Sequence, residues 1–333
     1  MVEHRVGEPQ SHAPGASLSR IAVLIPCLNE ELTVAKVVGD FRERLPAASI
    51  VVFDNNSEDR TVEVARQAGA QVHIERRRGK GHVVQAMFRQ VDADYYVMVD
   101  GDDTYPASEV QRLLQPVVEG RADMVIGSRM QSGSKSEFRS VNLIGNVLFR
   151  AFTNLLFGAR LSDLLSGYRC MTRGLVKSLP LFERGFGIEA EITIKALERG
   201  FRLVEVPVRL KARPQGSTSK IRVLRDGLTI LGTIGSLFRD YKPLTFFGGL
   251  GLVVLGLTGA VVLWIGRAWL GMTATDASTL VVLNGLALVG LLLVAVGLIL
   301  HTLNRRFQEM EYFERLPQED SARDSWADPS LHG

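Results

Sequence analysis

Asp94-Tyr95-Tyr96-Val97-Met98-Val99, followed by Asp100-Gly101-Asp102-Asp103-Thr104-Tyr105-Pro106, decides how this chain is read. The first half is aromatic and β-branched, which predicts a buried strand of a parallel sheet. The second half stops that strand at once. Three carboxylates stand on a sharp turn, with Gly101 between the first two and Pro106 placed to open a helix. Carboxylates this close repel one another unless a cation joins them. Mg²⁺ and Mn²⁺ favour a few carboxylate oxygens together with substrate phosphates, so Asp100 and Asp102 imply such a metal carrying a diphosphate. The same residues also make an ordinary solvated turn ahead of a helix, and alone they do not separate the two readings.

Upstream, residues 20–26 form an apolar run of strand length, and Asn29-Glu30-Glu31 begins a helix reaching about residue 44. Residues 49–53 repeat the pattern and end in Asp54-Asn55-Asn56-Ser57-Glu58-Asp59-Arg60-Thr61, a turn that leads into a second helix. A short strand at 71–75 then meets the basic loop Arg76-Arg77-Arg78-Gly79-Lys80-Gly81 and a helix over 83–90. Downstream of the acidic turn come a helix over 107–118 and a strand over 123–127. Such alternation predicts an α/β fold with a mostly parallel sheet, helices on both faces and ligands at the carboxyl ends of the strands. Four loops then share one edge: 26–30, 54–59, 79–80 and 100–104. Asp54 is placed to accept hydrogen bonds from a base or ribose, Lys80 to meet a phosphate, and the acidic turn to hold a diphosphate. Together they describe a nucleotide site. It is neither a Gly-x-Gly-x-x-Gly site nor a Walker loop, since no glycines follow the first strand.

Taken as an ordered set, Ile25-Pro26-Cys27-Leu28-Asn29-Glu30, the run 54–61, Asp100-Gly101-Asp102, Ile126-Gly127-Ser128-Arg129 and Ser166-Gly167-Tyr168-Arg169 resemble family-2 inverting glycosyltransferases of the GT-A fold. The branch they resemble is the polyprenyl-phosphate glycosyltransferases, which include dolichol-phosphate mannosyltransferase. The likeness runs from about residue 20 to residue 220. It implies a GT-A, Rossmann-like domain whose donor-binding residues are Pro26, Leu28, Glu30, Asp54, Lys80, Asp100, Gly101 and Arg169. It implies Mg²⁺ or Mn²⁺ at Asp100 and Asp102, and catalytic roles for Asp102, Arg129 and Asp163. Asp163 either orients Arg129 or Arg169 or acts as a base. Where many relatives have glutamine two residues after the second Asp of the tip, this chain has Thr104. Residues 211–220, with Arg213, Gly216 and Lys220, resemble the loop that meets the lipid phosphate in that branch; a solvated surface loop is the plain alternative.

Asn142, Asn146, Arg150 and Asn154 recur every four residues in an apolar run and put a polar stripe on one side of a helix. Such a helix either packs on its own domain or lies at a membrane interface, and packing is the expectation here. Glu189 and Glu191 open a further helix, as acids favoured near a helix N-terminus, and the spacing does not say which faces the site.

Leu244–Ile265 gives 22 residues without a charge, and residues 280–303 give 24 interrupted by Asn284 and His301. About 20 apolar residues cross a bilayer core, so two spans are expected. Arg239 and Lys242 precede the first, Arg305 and Arg306 follow the second, and Arg267 in the link is opposed by Asp276. That bias puts the GT-A domain and both termini on the cytoplasmic side. The expected layout is a disordered leader (1–19), the GT-A domain (20–220), an interfacial helix (221–243), two spans (244–303) and a polar tail (304–333). Gly248, Gly249, Gly251 and Gly256 permit close helix contact, either between the two spans or in a homo-oligomer.

A net charge of +3 is too mild to argue for nucleic acid, and Cys27 and Cys170, each in an apolar or mixed run, read as reduced thiols. The implied partners are a nucleoside diphosphate sugar, a polyprenyl phosphate and the bilayer. Two rivals remain. A processive polysaccharide synthase is disfavoured by two spans and by the lack of a Gln-x-x-Arg-Trp run; a non-catalytic sugar-nucleotide-binding scaffold is disfavoured by the intact acidic tip.

Overall fold

Strand β4 (Tyr95–Met98) lies inside a seven-stranded sheet in the computed structural model of the chain, which describes residues 20–129, 140–212, 223–269 and 277–327. The other strands are β1 (Ile21–Cys27), β2 (Ser49–Asp54), β3 (Gln71–Ile74), β5 (Met124–Ser128), β6 (Arg169–Thr172) and β7 (Leu203–Pro207). Their order is β3-β2-β1-β4-β6-β5-β7, and every pairing is parallel except those of β6, which is antiparallel to both neighbours. The mostly parallel sheet matches the expectation from sequence. Strand β6 is not foreseen by the sequence: four residues are too few to display an alternating pattern.

Period-2 alternation sorts the strands between two faces. Val23, Ile25, Cys27, Val97 and Val99 pack with Val34, Val37, Val38 and Phe41 of α1 (Val34–Arg44) and with Val110, Leu113, Leu114 and Val117 of α4 (Val110–Val118). Each such side chain contributes about 1.5–3 kcal/mol when fully buried. Helix α2 (Thr61–Gln67) follows β2. On the opposite face, α3 (Lys80–Gln90) buries Val83, Val84 and Met87. The register Cys27↔Asp54 in β1–β2 and Leu24↔Met98 in β1–β4 brings the carboxyl ends of the three strands level, so the loops after them share one rim.

Helix α5 (Ser140–Phe157) packs its polar stripe on its own domain, as expected. Asn146 donates to Asp163 at 3.1 Å, and Asn154 exchanges two 3.0 Å hydrogen bonds with the backbone of Leu161, so the stripe packs inward. Val147, Leu148 and Leu155 are exposed, so the apolar side faces outward. Short α6 (Arg173–Ser178) and α7 (Ile188–Glu198) complete the cover of this unit.

The chain divides into two compact units, 1–231 and 232–333, with the division inside α8 (Val223–Tyr241). In the second unit a π-helical turn (Leu244–Gly248) leads into α9 (Gly249–Trp269), which pairs with α10 (Ala277–Ala327). Two stretches, Leu244–Ile265 and Ser278–Phe307, are long and apolar enough to cross a membrane. A Cβ on Gly251 would lie 2.6 Å from the Gly290 carbonyl oxygen, so this glycine serves contact between the two helices. Helix α10 also runs past residue 303, where sequence placed a polar tail; Arg, Gln, Glu and Met at 305–314 are good helix formers and carry it on. The expected leader lies outside the described residues.

Candidate active site

The acidic turn is seated by close approach of backbone. Gly101 is required there, because a Cβ would lie 2.6 Å from Cys27 Sγ, and Thr33 Oγ1 donates to the Gly101 carbonyl at 2.7 Å. Asp102 Oδ1 accepts from the Thr104 amide at 3.2 Å and from its hydroxyl at 2.6 Å, an Asx turn that fixes the carboxylate. Thr104 therefore supports Asp102 where many relatives have glutamine. The expected repulsion among three carboxylates is partly relieved by lysines. Asp103, in a left-handed conformation with φ 55°, pairs with Lys36 at 3.3 Å and Lys211 at 3.2 Å. Asp100 pairs with Lys80 at 2.6 Å.

Lys80, expected at a phosphate, bridges Asp100 and Glu189, each at 2.6 Å. Burial opposes its charge, but the Asp100 and Glu189 carboxylates more than offset that and raise its pKa. Glu189 is thus the acid of α7 on the site side. Glu191 turns away, pairing with Lys195 at 2.7 Å and accepting from the amides of Phe182 and Glu183. Helix α7 buries every residue from Ile188 to Ala196, so no amphipathic pattern could have told the two apart.

At the nucleotide end, Asp54 closes β2 with 1% of its surface exposed. Its Oδ2 accepts from the Ser57 amide at 2.9 Å, while Oδ1 is buried with no hydrogen-bond partner among the described residues. Asn55, which sequence reasoning did not single out, donates to the carbonyls of Glu75 and Arg77 and accepts from the Gly79 amide at 2.7 Å, pinning the basic loop to the rim. Glu30 is buried and accepts from Thr33 Oγ1 at 3.2 Å, while Pro26, near the end of β1, and Leu28, just after it, are half-buried.

Arg129 and Asp163 form a second centre. Asp163, wholly buried, accepts from Arg129 Nε at 2.7 Å, Nη2 at 2.8 Å and its amide at 3.0 Å, and from Asn146. Burial raises the Asp163 pKa, and the Arg129 guanidinium more than reverses this, leaving it below the usual carboxylate range. A carboxylate so held orients Arg129 and is poorly placed to take a proton. Arg169 sits apart from the rim: it is fully buried and donates to the carbonyls of Ser166 and Leu164 and to Thr193 Oγ1, each at 2.9 Å. It shapes the Ser166-Gly167 loop from below with none of its own surface exposed. Tyr105 holds that loop from the other side by accepting from the Gly167 amide at 3.0 Å. Arg213 and Lys220 lie outside the described residues.

The donor set suits a hard divalent cation. Asp100 and Asp102 bring carboxylate oxygens alone, and Gly167 leaves room a side chain would take, since a Cβ there would lie 2.3 Å from Asp100 Oδ2. Burial, and then the negative field of Glu30, Asp54, Asp100 and Asp102, push the Cys27 thiol well up, which marks this rim as attractive to cations. Among the described residues there is no cluster of three or more His, Cys, Asp or Glu that could hold a metal ion, and a Mg²⁺ or Mn²⁺ at two carboxylates would need phosphate and water oxygens to complete it.

A sequence model described as glycosyl transferase family 2 matches residues 22–179. Glycosyltransferase AglJ of Haloferax volcanii is 34% identical over 251 residues, covering 75% of this chain and 82% of that protein. A dolichyl-phosphate hexose transferase of the same organism is 32% identical over 58% of this chain and 83% of its own length. An undecaprenyl-phosphate mannosyltransferase of Micrococcus luteus is 27% identical, over 60% of this chain and 86% of its own. Among solved structures, glucosyl-3-phosphoglycerate synthase from Mycobacterium tuberculosis in complex with Mn²⁺ and UDP-glucose aligns with a TM-score of 0.53 at 22% identity, covering 66% of this chain and 79% of that one. That likeness is one of fold.

Proposed function

The chain belongs to glycosyl transferase family 2, and from that premise we propose that it moves a hexosyl group from a nucleoside diphosphate sugar to the phosphate of a polyprenyl phosphate, with inversion, at the cytoplasmic face of a membrane. The observation that carries this is the union, in one chain, of an acidic strand-end rim suited to a metal diphosphate with two helices long enough to cross a bilayer. The named activities of the Haloferax and Micrococcus relatives support the acceptor class. So do the exposed Leu148 and Leu155 of α5 and Leu228 of α8, apolar residues that suit an interface with lipid.

A phosphate acceptor is already anionic near neutral pH, so no strong general base is needed. Positioning does most of the work. Asp54 would receive the donor's base or ribose, with Pro26, Leu28 and Glu30 lining that end. Asp100 and Asp102 would hold Mg²⁺ or Mn²⁺, which when bound neutralises charge on the departing diphosphate. Lys80 offers an ammonium to the same diphosphate. Arg129, kept flat by Asp163, supplies a preorganised cation beside the reacting groups, and Arg213 and Lys220 would meet the lipid phosphate. The base, the sugar and the prenyl length are left to the experiment.

Screening nucleoside diphosphate sugars for release of the nucleoside diphosphate tests this. Release is expected with one donor, to depend on a short prenyl phosphate, and to fall by at least about 10²-fold when a chelator removes the metal. Release that ignores both the prenyl phosphate and the chelator would count against it.

A further inference from the structure

Lys80 opens α3, and its place is fixed by backbone. Gly79 and Gly81 press against the segment that leads into α7: a Cβ on either would lie 2.2 Å from the Arg184 carbonyl oxygen or 2.1 Å from that of Glu183. The Gly81 amide donates to Arg184 O at 3.1 Å, and Gln85 Nε2 to Glu183 O at 2.7 Å. The start of α3 is therefore tied to the element bearing Glu189, and the ammonium is delivered between Glu189 and Asp100 at 2.6 Å from each. The lysines on Asp103 differ: Lys36 is 53% exposed, against 15% for Lys80.

We propose that Lys80 is a built-in competitor for the divalent cation, holding Asp100 until a donor diphosphate offers it phosphate oxygens, so that cation and donor are taken up together. Glu189 is the positioning residue that keeps Lys80 beside the site once Asp100 is released. The proposal rests on Asp100 and Asp102 being the cation and diphosphate site. An opposite charge within about 4–6 Å shifts a carboxylate's proton affinity by about 1–3 pK units, so a buried ammonium on Asp100 should weaken a second cation by about tenfold or more.

The test is titration of the full chain in detergent with Mn²⁺ and no nucleotide, reading free Mn²⁺ by electron paramagnetic resonance. Lys80→Met is expected to bind Mn²⁺ at least about tenfold more tightly than the unsubstituted protein. Lys36→Met, which removes a cation near the same turn without touching Asp100, is expected to stay within about twofold, since exposed pairs are weak. Adding Asp100→Asn to Lys80→Met should abolish the gain. Lys80→Gln gives the same readout if the methionine variant does not fold. Equal affinity in Lys80→Met and the unsubstituted protein, or equal gains from Lys80→Met and Lys36→Met, would overturn the competition while leaving the metal site standing. Failure of every protein to bind Mn²⁺ would overturn the site with it.

Discussion

Asp102→Asn is expected to lower sugar transfer by about 10²–10³-fold, the range seen when one preorganised group that stabilises developing charge is removed. The substitution keeps the shape of the side chain and one acceptor for the Thr104 amide and hydroxyl, so the turn should stay folded. What it removes is a charged oxygen for the metal that neutralises the leaving diphosphate. Steady-state rates with the unsubstituted protein as reference, alongside thermal melts of both, check this. A rate within about threefold of the reference would remove Asp102 from the mechanism.

Asp163→Ala is expected to act chiefly on stability. It removes the carboxylate, itself without exposed surface, at which the Arg129 guanidinium and the Asn146 amide are both directed. Breaking a buried pair from one side costs about 3–5 kcal/mol. For a unit of this size each kcal/mol lowers the melting temperature by about 2–4 °C, so a fall of about 6–20 °C is expected. The pH dependence has a definite sign. The Asp163 pKa is lowered in the fold, burial opposing and Arg129 prevailing, so its contribution is present above the ordinary Asp value of about 3.9 and is lost as pH falls through the lower folded value. The gap in melting temperature between the two proteins should be full at neutral pH and close only in acid. Melts that coincide at neutral pH would show that the pair does not hold the fold.

The fold was legible where local pattern and global architecture agree. Apolar strands ending in turn chemistry, each followed by a helix, place Asp54, Lys80 and Asp100 on one rim, and parallel pairing of β1 with β2 and β4, and of β2 with β3, puts them there. Strand β6 was hidden because Arg169-Cys170-Met171-Thr172 is short and carries a fully buried arginine, satisfied by carbonyls that only tertiary structure brings near. The choice between Glu189 and Glu191 needed a partner 109 residues upstream of the first, Lys80. The two helices long and apolar enough to cross a membrane were readable from length and polarity alone, because that property does not depend on what they pack against. Their glycine contact was not, since a glycine count does not say which backbone comes close.

The most direct measurement is the product. The full chain in detergent is incubated with the donor found by screening, labelled in its sugar, together with Mg²⁺ and a polyprenyl phosphate, and the label is partitioned between organic solvent and water. Label is predicted to enter the organic phase as a single sugar on the lipid, only when the polyprenyl phosphate is present, and to stay in water with Asp102→Asn or chelator. Label recovered as an insoluble polymer, or as free sugar regardless of the lipid, would contradict transfer to a polyprenyl phosphate.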